Sequence, residues 1–196
     1  DVGLAGDPPG ICVLADDLFD GMSTQEASQG VICIFAMPQR GATAWATGKC
    51  AVVLDAVQDS INIGVIMRTM EAFDARTLIT LKGTVDLYNP KVVRCSMGAV
   101  VRGGLQMLVA EDAKELQQLL RGYRVFATTL DGTLEPSELG PRLTGKDAFI
   151  FGNEARGVSD EVLKAVTERI RIPMCPEVES LNVGVSVGII LHAYDQ

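Results

Sequence analysis

The chain has 196 residues, of which 47% are hydrophobic and 21% are charged, and this balance predicts an ordered globular protein rather than a disordered one. Its formal net charge of -8 argues against broad, nonspecific nucleic-acid binding, because counterion release needs clustered lysine and arginine. Any nucleic-acid contact is therefore expected to be local. The basic residues nearest the motifs described below are Arg68, Lys82, Lys91, Arg94 and Arg102.

Membrane and metal sites are not expected. No apolar run approaches the roughly 18 to 20 residues that a membrane-spanning helix needs, and the chain does not begin like a signal peptide. We expect a cytoplasmic protein, with a mitochondrion or plastid as the alternative if a transit peptide was removed. The five cysteines form no C-x-x-C pair, which predicts reduced thiols. The single histidine, His192, lies in an apolar stretch, so a zinc site or a histidine-based triad lacks its usual residues.

The first part of the chain, residues 1–46, differs from the rest. Strand-like runs at 11–14 and 31–35 flank a short helical piece at 18–22, and residues 39–44 have the composition of a linker. Two strands and one short helix make a poor independent core. This segment is therefore expected to be either a packed extension or the tail of a further domain.

Residues 47–196 alternate short β-branched runs with helical patterns. The predicted strands are 51–54, 77–81, 105–109, 124–128, 148–151 and 169–172. The predicted helices are 62–73, 90–98, 113–120, 159–166 and 181–194. The alternation predicts an α/β domain with a mostly parallel sheet and helices on both faces.

Three polar clusters follow predicted strands, where open α/β sheets bind ligands. The first holds Asn62 and Arg68 in an otherwise apolar helix. Asn62 could simply cap that helix. Arg68 has apolar neighbours, and an arginine in such surroundings usually has an anionic partner.

The second cluster is 151–157, F-G-N-E-A-R-G, directly after a buried strand. Its two glycines resemble a phosphate loop, but Val158 replaces the required lysine, so an NTPase is excluded. The pattern instead indicates a tight loop whose backbone lies close to a ligand, with Glu154 available for a polar contact. A glycine-rich turn with Ser159 as a helix cap is the structural alternative.

The third cluster comprises I-P-M at 172–174 and E-S-L-N-V at 179–183. Ser180 could be an ordinary helix cap. Asn182, followed by small residues at 184, 186 and 188, indicates a helix that packs very close to a ligand or to a second subunit.

Taken in order, N-x-G-x-x-x-R-T at 62–69, F-G-N-E-x-x-G at 151–157, and I-P-M followed by E-S-L-N-V resemble the three motifs of the SpoU/TrmH RNA methyltransferases. The resemblance runs from about residue 51 to 194 and includes 89–94 and 96–99. Residues 15–31 resemble the end of the family's small RNA-binding domain. Gly184 is a departure, because many relatives have serine there, and it removes one hydrogen bond.

The resemblance implies an S-adenosylmethionine-dependent 2′-O-ribose methyltransferase, with a C-terminal trefoil knot and a homodimer whose active site lies at the subunit interface. It implies that Arg68 clamps the neighbouring phosphate or, alternatively, helps to deprotonate the 2′-hydroxyl. The implied catalytic residues are Asn62, Arg68, Glu154, Ser180 and Asn182. The implied cofactor-binding residues are Thr128, Thr129, Phe151, Gly152, Asn153, Gly157, Ile172, Met174, Ser180, Leu181 and Asn182.

The front segment favours ribosomal RNA over transfer RNA as the substrate, because it resembles the extension of ribosomal-RNA-directed members. A catalytically silent RNA-binding member of the fold is a hypothesis of another class. The joint presence of the five implied catalytic residues argues against it, since a scaffold has no physical need for that set. An unrelated nucleotide-binding protein would require a G-x-G-x-x-G or Walker pattern, and neither is found.

Overall fold

The computed structural model describes residues 10–23, 27–34, 49–102 and 104–196. The chain divides into two compact units, Asp1–Gln39 and Arg40–Gln196. In the first unit, helix α1 spans Asp16–Met22, and two aspartates in its first turn favour its start through the helix dipole. This confirms the predicted helical piece.

The strands predicted for the first unit are wrong within the described residues, because 11–14 and 31–34 have no strand conformation. A β-branched run becomes a strand only where a neighbouring strand completes its backbone hydrogen bonds, and these described segments pair with none. Residue 35 and the predicted linker at 39–44 lie outside the described residues.

The second unit is built on a six-stranded sheet whose described pairings are all parallel, in the order β3-β2-β1-β5-β4-β6. Its strands are β1 Cys50–Leu54, β2 Thr77–Leu81, β3 Gln106–Ala110, β4 Arg124–Thr128, β5 Asp147–Phe151 and β6 Glu168–Ile170. All six strands were predicted, and the parallel α/β class is confirmed. Strands β1, β2 and β5 are buried along their whole length, which explains why their sequences are mainly apolar.

Among the described residues, five helices accompany the sheet: α2 Ser60–Ala72, α3 Pro90–Cys95, α4 Ala113–Leu119, α5 Asp160–Leu163 and α6 Val183–Tyr194. Helix α3 ends earlier than predicted, since Met97 and Gly98 have φ angles of 49° and 90°, which a helix cannot continue through. Helix α5 is also shorter than predicted. Two short 3-10 helices, Pro136–Glu138 and Gly140–Arg142, were not predicted.

The helices cover both faces of the sheet, as predicted. Val52 and Leu54 of β1 belong to one core with side chains of α2 and α6, whereas Ala51 and Val53 belong to a second core with side chains of α4 and α5. This alternation follows from the two-residue period of a strand. Within the described ranges, no helix has both the length and the apolarity needed to cross a membrane.

Candidate active site

A cavity of about 720 Å³ lies at the carboxyl ends of β4, β5 and β6, beside the start of α6. Small-molecule sites typically enclose about 300–1,000 Å³, so the cavity has the size of a cofactor site. Its position agrees with the rule that open parallel sheets bind ligands at the carboxyl ends of their strands. Its lining includes eleven of the predicted site residues: Thr128, Thr129, Phe151, Gly152, Asn153, Glu154, Gly157, Ile172, Met174, Ser180 and Leu181.

Three predicted site residues, Asn62, Arg68 and Asn182, do not line the cavity. Two of them reach it through hydrogen bonds. Asn182 Nδ2 donates to Asn62 Oδ1 at 2.8 Å, and Asn62 Nδ2 donates to Glu154 Oε1 at 3.0 Å. The structure therefore brings together one residue from each of the three motifs, separated by up to 120 positions in the chain. We call this set the amide relay (Asn182, Asn62 and Glu154).

The backbone of α6 sets the direction of the amide relay. Asn182 is the N-cap of α6, and its Oδ1 accepts from the backbone N–H groups of Gly184 and Val185. Its Nδ2 is then the group available to Asn62, whose Oδ1 must accept and whose Nδ2 must donate to the carboxylate. Since Asn62 is only 6% exposed, it is held without competition from bulk water.

The structure also shows which of the predicted residues cap the helices. Asp59, not Asn62, caps α2 by accepting from the Ile61 backbone N–H at 2.8 Å. Asn182, not Ser180, caps α6. Ser159 occupies the N-cap position of α5 but makes no side-chain capping hydrogen bond.

The loop that carries Glu154 is fixed by its own residues. Gly152 is required by close packing, because a Cβ there would lie 2.0 Å from the carbonyl carbon of Gly157. Asn153 donates to the carbonyl of Ala56 at 2.8 Å and accepts from the backbone of Ala155 and Arg156. Asn153 was predicted to bind the cofactor. Its side chain holds the loop and the residue lines the cavity, so its role in cofactor binding stays a prediction.

Arg68 lies elsewhere on the molecule. Six residues beyond Asn62 on the same helix, it is displaced by about 9 Å along the axis and about 120° around it. Its side chain is exposed, and it has no ion pair among the residues that the structure describes. The anionic partner expected from its apolar neighbours is therefore not found within the described part of this chain.

The other basic residues near the motifs differ in whether they form an ion pair. Arg102 is committed to an ion pair with Glu71 and to the carbonyl of Met97, which accepts from it at 2.9 Å. Arg102 correspondingly lowers the pKa of Glu71. Three more residues are exposed, without an ion pair in the described ranges: Lys82, Lys91 and Arg94.

Five charged residues line the cavity without having been predicted as site residues: Asp131, Arg156, Asp160, Arg169 and Glu179. Two of them, Asp131 and Arg169, form an ion pair. They lie three residues beyond the end of β4 and within β6, outside all three motifs. The one available signal was an acidic residue and a glycine, Asp131 and Gly132, which follow Thr128 and Thr129 after one intervening residue, Leu130. The described residues contain no group of three or more metal-ligating side chains close enough to hold a metal ion.

Comparison with known proteins decides the family. The model of the SpoU rRNA Methylase family matches residues 49–192. The chain belongs to the SpoU rRNA methylase family. This confirms the recognition made from the three motifs, and with it the implied enzyme class, the RNA 2′-O-methyltransferases.

One relative of this SpoU chain is the 23S rRNA (guanosine(2553)-2′-O)-methyltransferase RlmP of Bacillus subtilis, 30% identical over 92% of the chain and 70% of RlmP. An RNA methyltransferase of the TrmH family from Porphyromonas gingivalis matches with a TM-score of 0.79 and 31% identity, over 90% of this chain and 70% of that one. An rRNA methyltransferase from Sinorhizobium meliloti, solved with AdoMet bound, matches with a TM-score of 0.67 and 30% identity, over 75% of this chain and 56% of that one.

The SpoU chain spans 59% to 65% of the next three curated relatives, each of which is named a tRNA/rRNA methyltransferase. The substrate and partners of the complete relatives are therefore proposals for this chain.

Proposed function

We propose that this chain carries the catalytic domain of an enzyme that transfers a methyl group from S-adenosylmethionine to a ribose 2′-hydroxyl of RNA. The observation that carries the proposal is the amide relay, which joins residues of all three motifs at the edge of a cofactor-sized cavity. A binding module has no need of a carboxylate held by a buried amide that a helix-capping amide positions in turn. We therefore favour the enzyme over the catalytically silent member of the fold.

The cavity fits the cofactor by the chemistry of its lining. Apolar walls from Phe151, Ile172 and Met174 suit an adenine ring, and Thr128 and Thr129 also line the cavity. Bound S-adenosylmethionine would supply an electrophilic methyl group on a positively charged sulfur. The chain's own residues then need to do little more than bind, orient and exclude water.

Arg68 is proposed to hold the RNA. Its guanidinium stays protonated, so a clamp on the phosphate beside the target ribose is favoured over direct proton abstraction. Its exposure and the lack of an ion pair among the described residues leave it available for that contact. Deprotonation of the 2′-hydroxyl with help from the phosphate is the alternative.

A homodimer through α2 and α6 is proposed as the working form. Ile61, Val65 and Val185 are 47%, 38% and 52% exposed, and a Cβ at Gly184 would lie 3.2 Å from Val65 Cγ1, so the two helices present one apolar face. Arg68 lies on α2 next to this face, which would place it at the subunit interface. Light scattering should show a dimer for the wild type and a monomer for Val185→Glu.

Ribosomal RNA is the proposed substrate, with transfer RNA as the alternative. The RlmP match supports ribosomal RNA, because it extends over 185 residues and so includes the front segment. We further propose that residues 1–46 belong to a small RNA-binding domain and linker, and that 47–196 form the catalytic domain. The family fold also leads us to propose a trefoil knot near the C-terminus, and the RNA substrate leads us to propose a cytoplasmic location.

Calorimetric titration with S-adenosylmethionine tests the proposed cofactor site, with Asn182→Ala as the comparison. We expect saturable binding by the wild type and binding weakened by about tenfold or more in the variant, since loss of Asn182 releases Asn62 and Glu154. A folded wild-type protein that fails to bind would overturn the proposed function and favour the silent member of the fold.

A further inference from the structure

An ion pair between Asp131 and Arg169 stands in the wall of the cavity. Arg169 Nη1 donates to Asp131 Oδ2 at 2.6 Å, and both residues line the cavity. Their side chains are 68% and 41% exposed, so each keeps polar atoms that a ligand can reach. The pair therefore presents one negative and one positive charge side by side to whatever fills the cavity.

The loop after β4 holds this pair firmly in place. Thr129 N donates to the carbonyl of Ile170 at 2.9 Å, and Arg171 N donates to the carbonyl of Leu134 at 2.8 Å. A Cβ at Gly132 would lie 2.5 Å from the carbonyl carbon of Ile170, so only glycine lets the loop pack this closely on β6. The backbone that carries both charges is therefore held in place before a ligand binds, which lowers the entropic cost of binding.

Both charges of the pair are present at neutral pH. The neighbouring Thr129 hydroxyl and the Arg169 guanidinium lower the pKa of the Asp131 carboxyl below its ordinary value. Arginine stays protonated throughout the accessible pH range. The hydrogen bond between them uses one carboxylate oxygen and one guanidinium nitrogen, and the other oxygen and nitrogen atoms can face a ligand.

We infer that Asp131 and Arg169 recognise the zwitterionic amino-acid end of the cofactor, Asp131 through its α-ammonium and Arg169 through its α-carboxylate. The inference rests on the proposed function. An amino-acid end carries an ammonium and a carboxylate group on the same carbon, and these opposite charges match a neighbouring pair of opposite charges. The ribose hydroxyls of the cofactor are neutral and gain less from a guanidinium than a carboxylate does, so the pair suits the amino-acid end better than the adenosine.

Two ligands separate these ends of the cofactor. S-adenosylhomocysteine has both the adenosine and the amino-acid end, whereas 5′-methylthioadenosine has the adenosine alone. We expect Asp131→Asn and Arg169→Gln each to weaken calorimetric binding of S-adenosylhomocysteine by about tenfold, as for a partly exposed charged hydrogen bond. Binding of 5′-methylthioadenosine should stay within about twofold of the wild type.

Asp195→Asn is the matched control, because it removes the charge of an exposed ion pair with Lys49, which lies at the amino end of β1 and does not line the cavity. It should leave both affinities unchanged, and thermal unfolding should confirm that all three variants fold. Equal weakening of binding of the two ligands would show that the pair contacts the adenosine. Unchanged binding of both would show that the pair does not contact the cofactor. Either result overturns the inference while the proposed function stands. A wild type that binds neither ligand would overturn the proposed function itself.

Discussion

The side chain of Asn182 donates to Asn62 Oδ1 across 2.8 Å while its own Oδ1 caps helix α6. One residue thus fixes the start of α6 and sets the direction of a hydrogen-bond chain that ends on Glu154. Because the chain has a defined direction, it makes predictions that distinguish it from a set of unrelated polar contacts.

Reversing the donor in the middle of the amide relay should destabilise the protein. Asn62→Asp keeps the shape of the side chain but places a carboxylate oxygen where Nδ2 now donates to Glu154 at 3.0 Å. We expect a loss of about 1–3 kcal/mol in the free energy of unfolding at pH 8. The loss should shrink as the pH falls to about 4, where one of the two carboxyls takes up a proton.

Denaturant unfolding of the wild type and of Asn62→Asp at both pH values measures this difference. Asn62→Ala is the control, since it removes the contact without adding a charge. A pH-independent loss in Asn62→Asp, equal to that in Asn62→Ala, would show that Asn62 and Glu154 do not interact.

Neutralising the carboxylate of Glu154 should lower the activity but leave the stability almost unchanged. In Glu154→Gln the side-chain oxygen can still accept from Asn62, so the unfolding free energy should change by less than about 0.5 kcal/mol. Methyl transfer should fall by about tenfold to a hundredfold, because the charge at the cavity edge is lost. Unfolding measured beside initial rates of methyl transfer tests both statements, and an unchanged rate would remove Glu154 from the active site.

The proposed role of Arg68 predicts a defect in RNA handling but none in cofactor binding. Arg68→Lys keeps the charge and loses the two-pronged hydrogen bond to a phosphate, so methyl transfer should fall by about a hundredfold. S-adenosylhomocysteine should bind as in the wild type, because Arg68 does not line the cavity. Arg121→Lys, at an exposed position after α4, serves as the control. Full activity of Arg68→Lys would contradict the phosphate clamp.

Gly64 in the first motif has a packing role that is separate from catalysis. A Cβ on Gly64 would lie 2.4 Å from Cys95 Cβ and 2.6 Å from the Cys95 carbonyl carbon, so α3 could not keep its place against α2. Gly64→Ala should cost about 1–3 kcal/mol, although alanine favours a helix over glycine by about 1 kcal/mol.

Gly188→Ala is the matched control for this substitution. Its new Cβ would meet only Thr69 Cγ2, at 3.8 Å, so the helix preference should leave stability unchanged or slightly higher. Thermal unfolding of the two variants provides the comparison. Equal effects at positions 64 and 188 would show that the close approach of α2 and α3 does not constrain the fold.

The strands of the second unit were predictable from sequence because burial on both faces leaves continuous apolar runs such as 148–151. The same kind of run at 11–14 misled the prediction, since a strand also needs a partner that composition does not reveal. Arg68 and Asn62 share one motif, but only the helix geometry shows that they face different ways.

Side-chain partners were the least predictable feature. The contact between Asn182 and Asn62 joins residues 120 positions apart, and no local sequence pattern predicts a contact between residues so far apart in the chain. Asp131 was missed for a related reason, because it becomes a cavity residue only when the loop after β4 packs on β6.

The most direct test of the account is methyl transfer itself. The protein is incubated with S-adenosylmethionine labelled in its methyl group and with ribosomal RNA or transfer RNA, and the RNA is digested to nucleosides. We expect label in a 2′-O-methylated nucleoside, with ribosomal RNA as the better substrate. Label on a base, or no transfer to either RNA by a dimer that binds the cofactor, would contradict it.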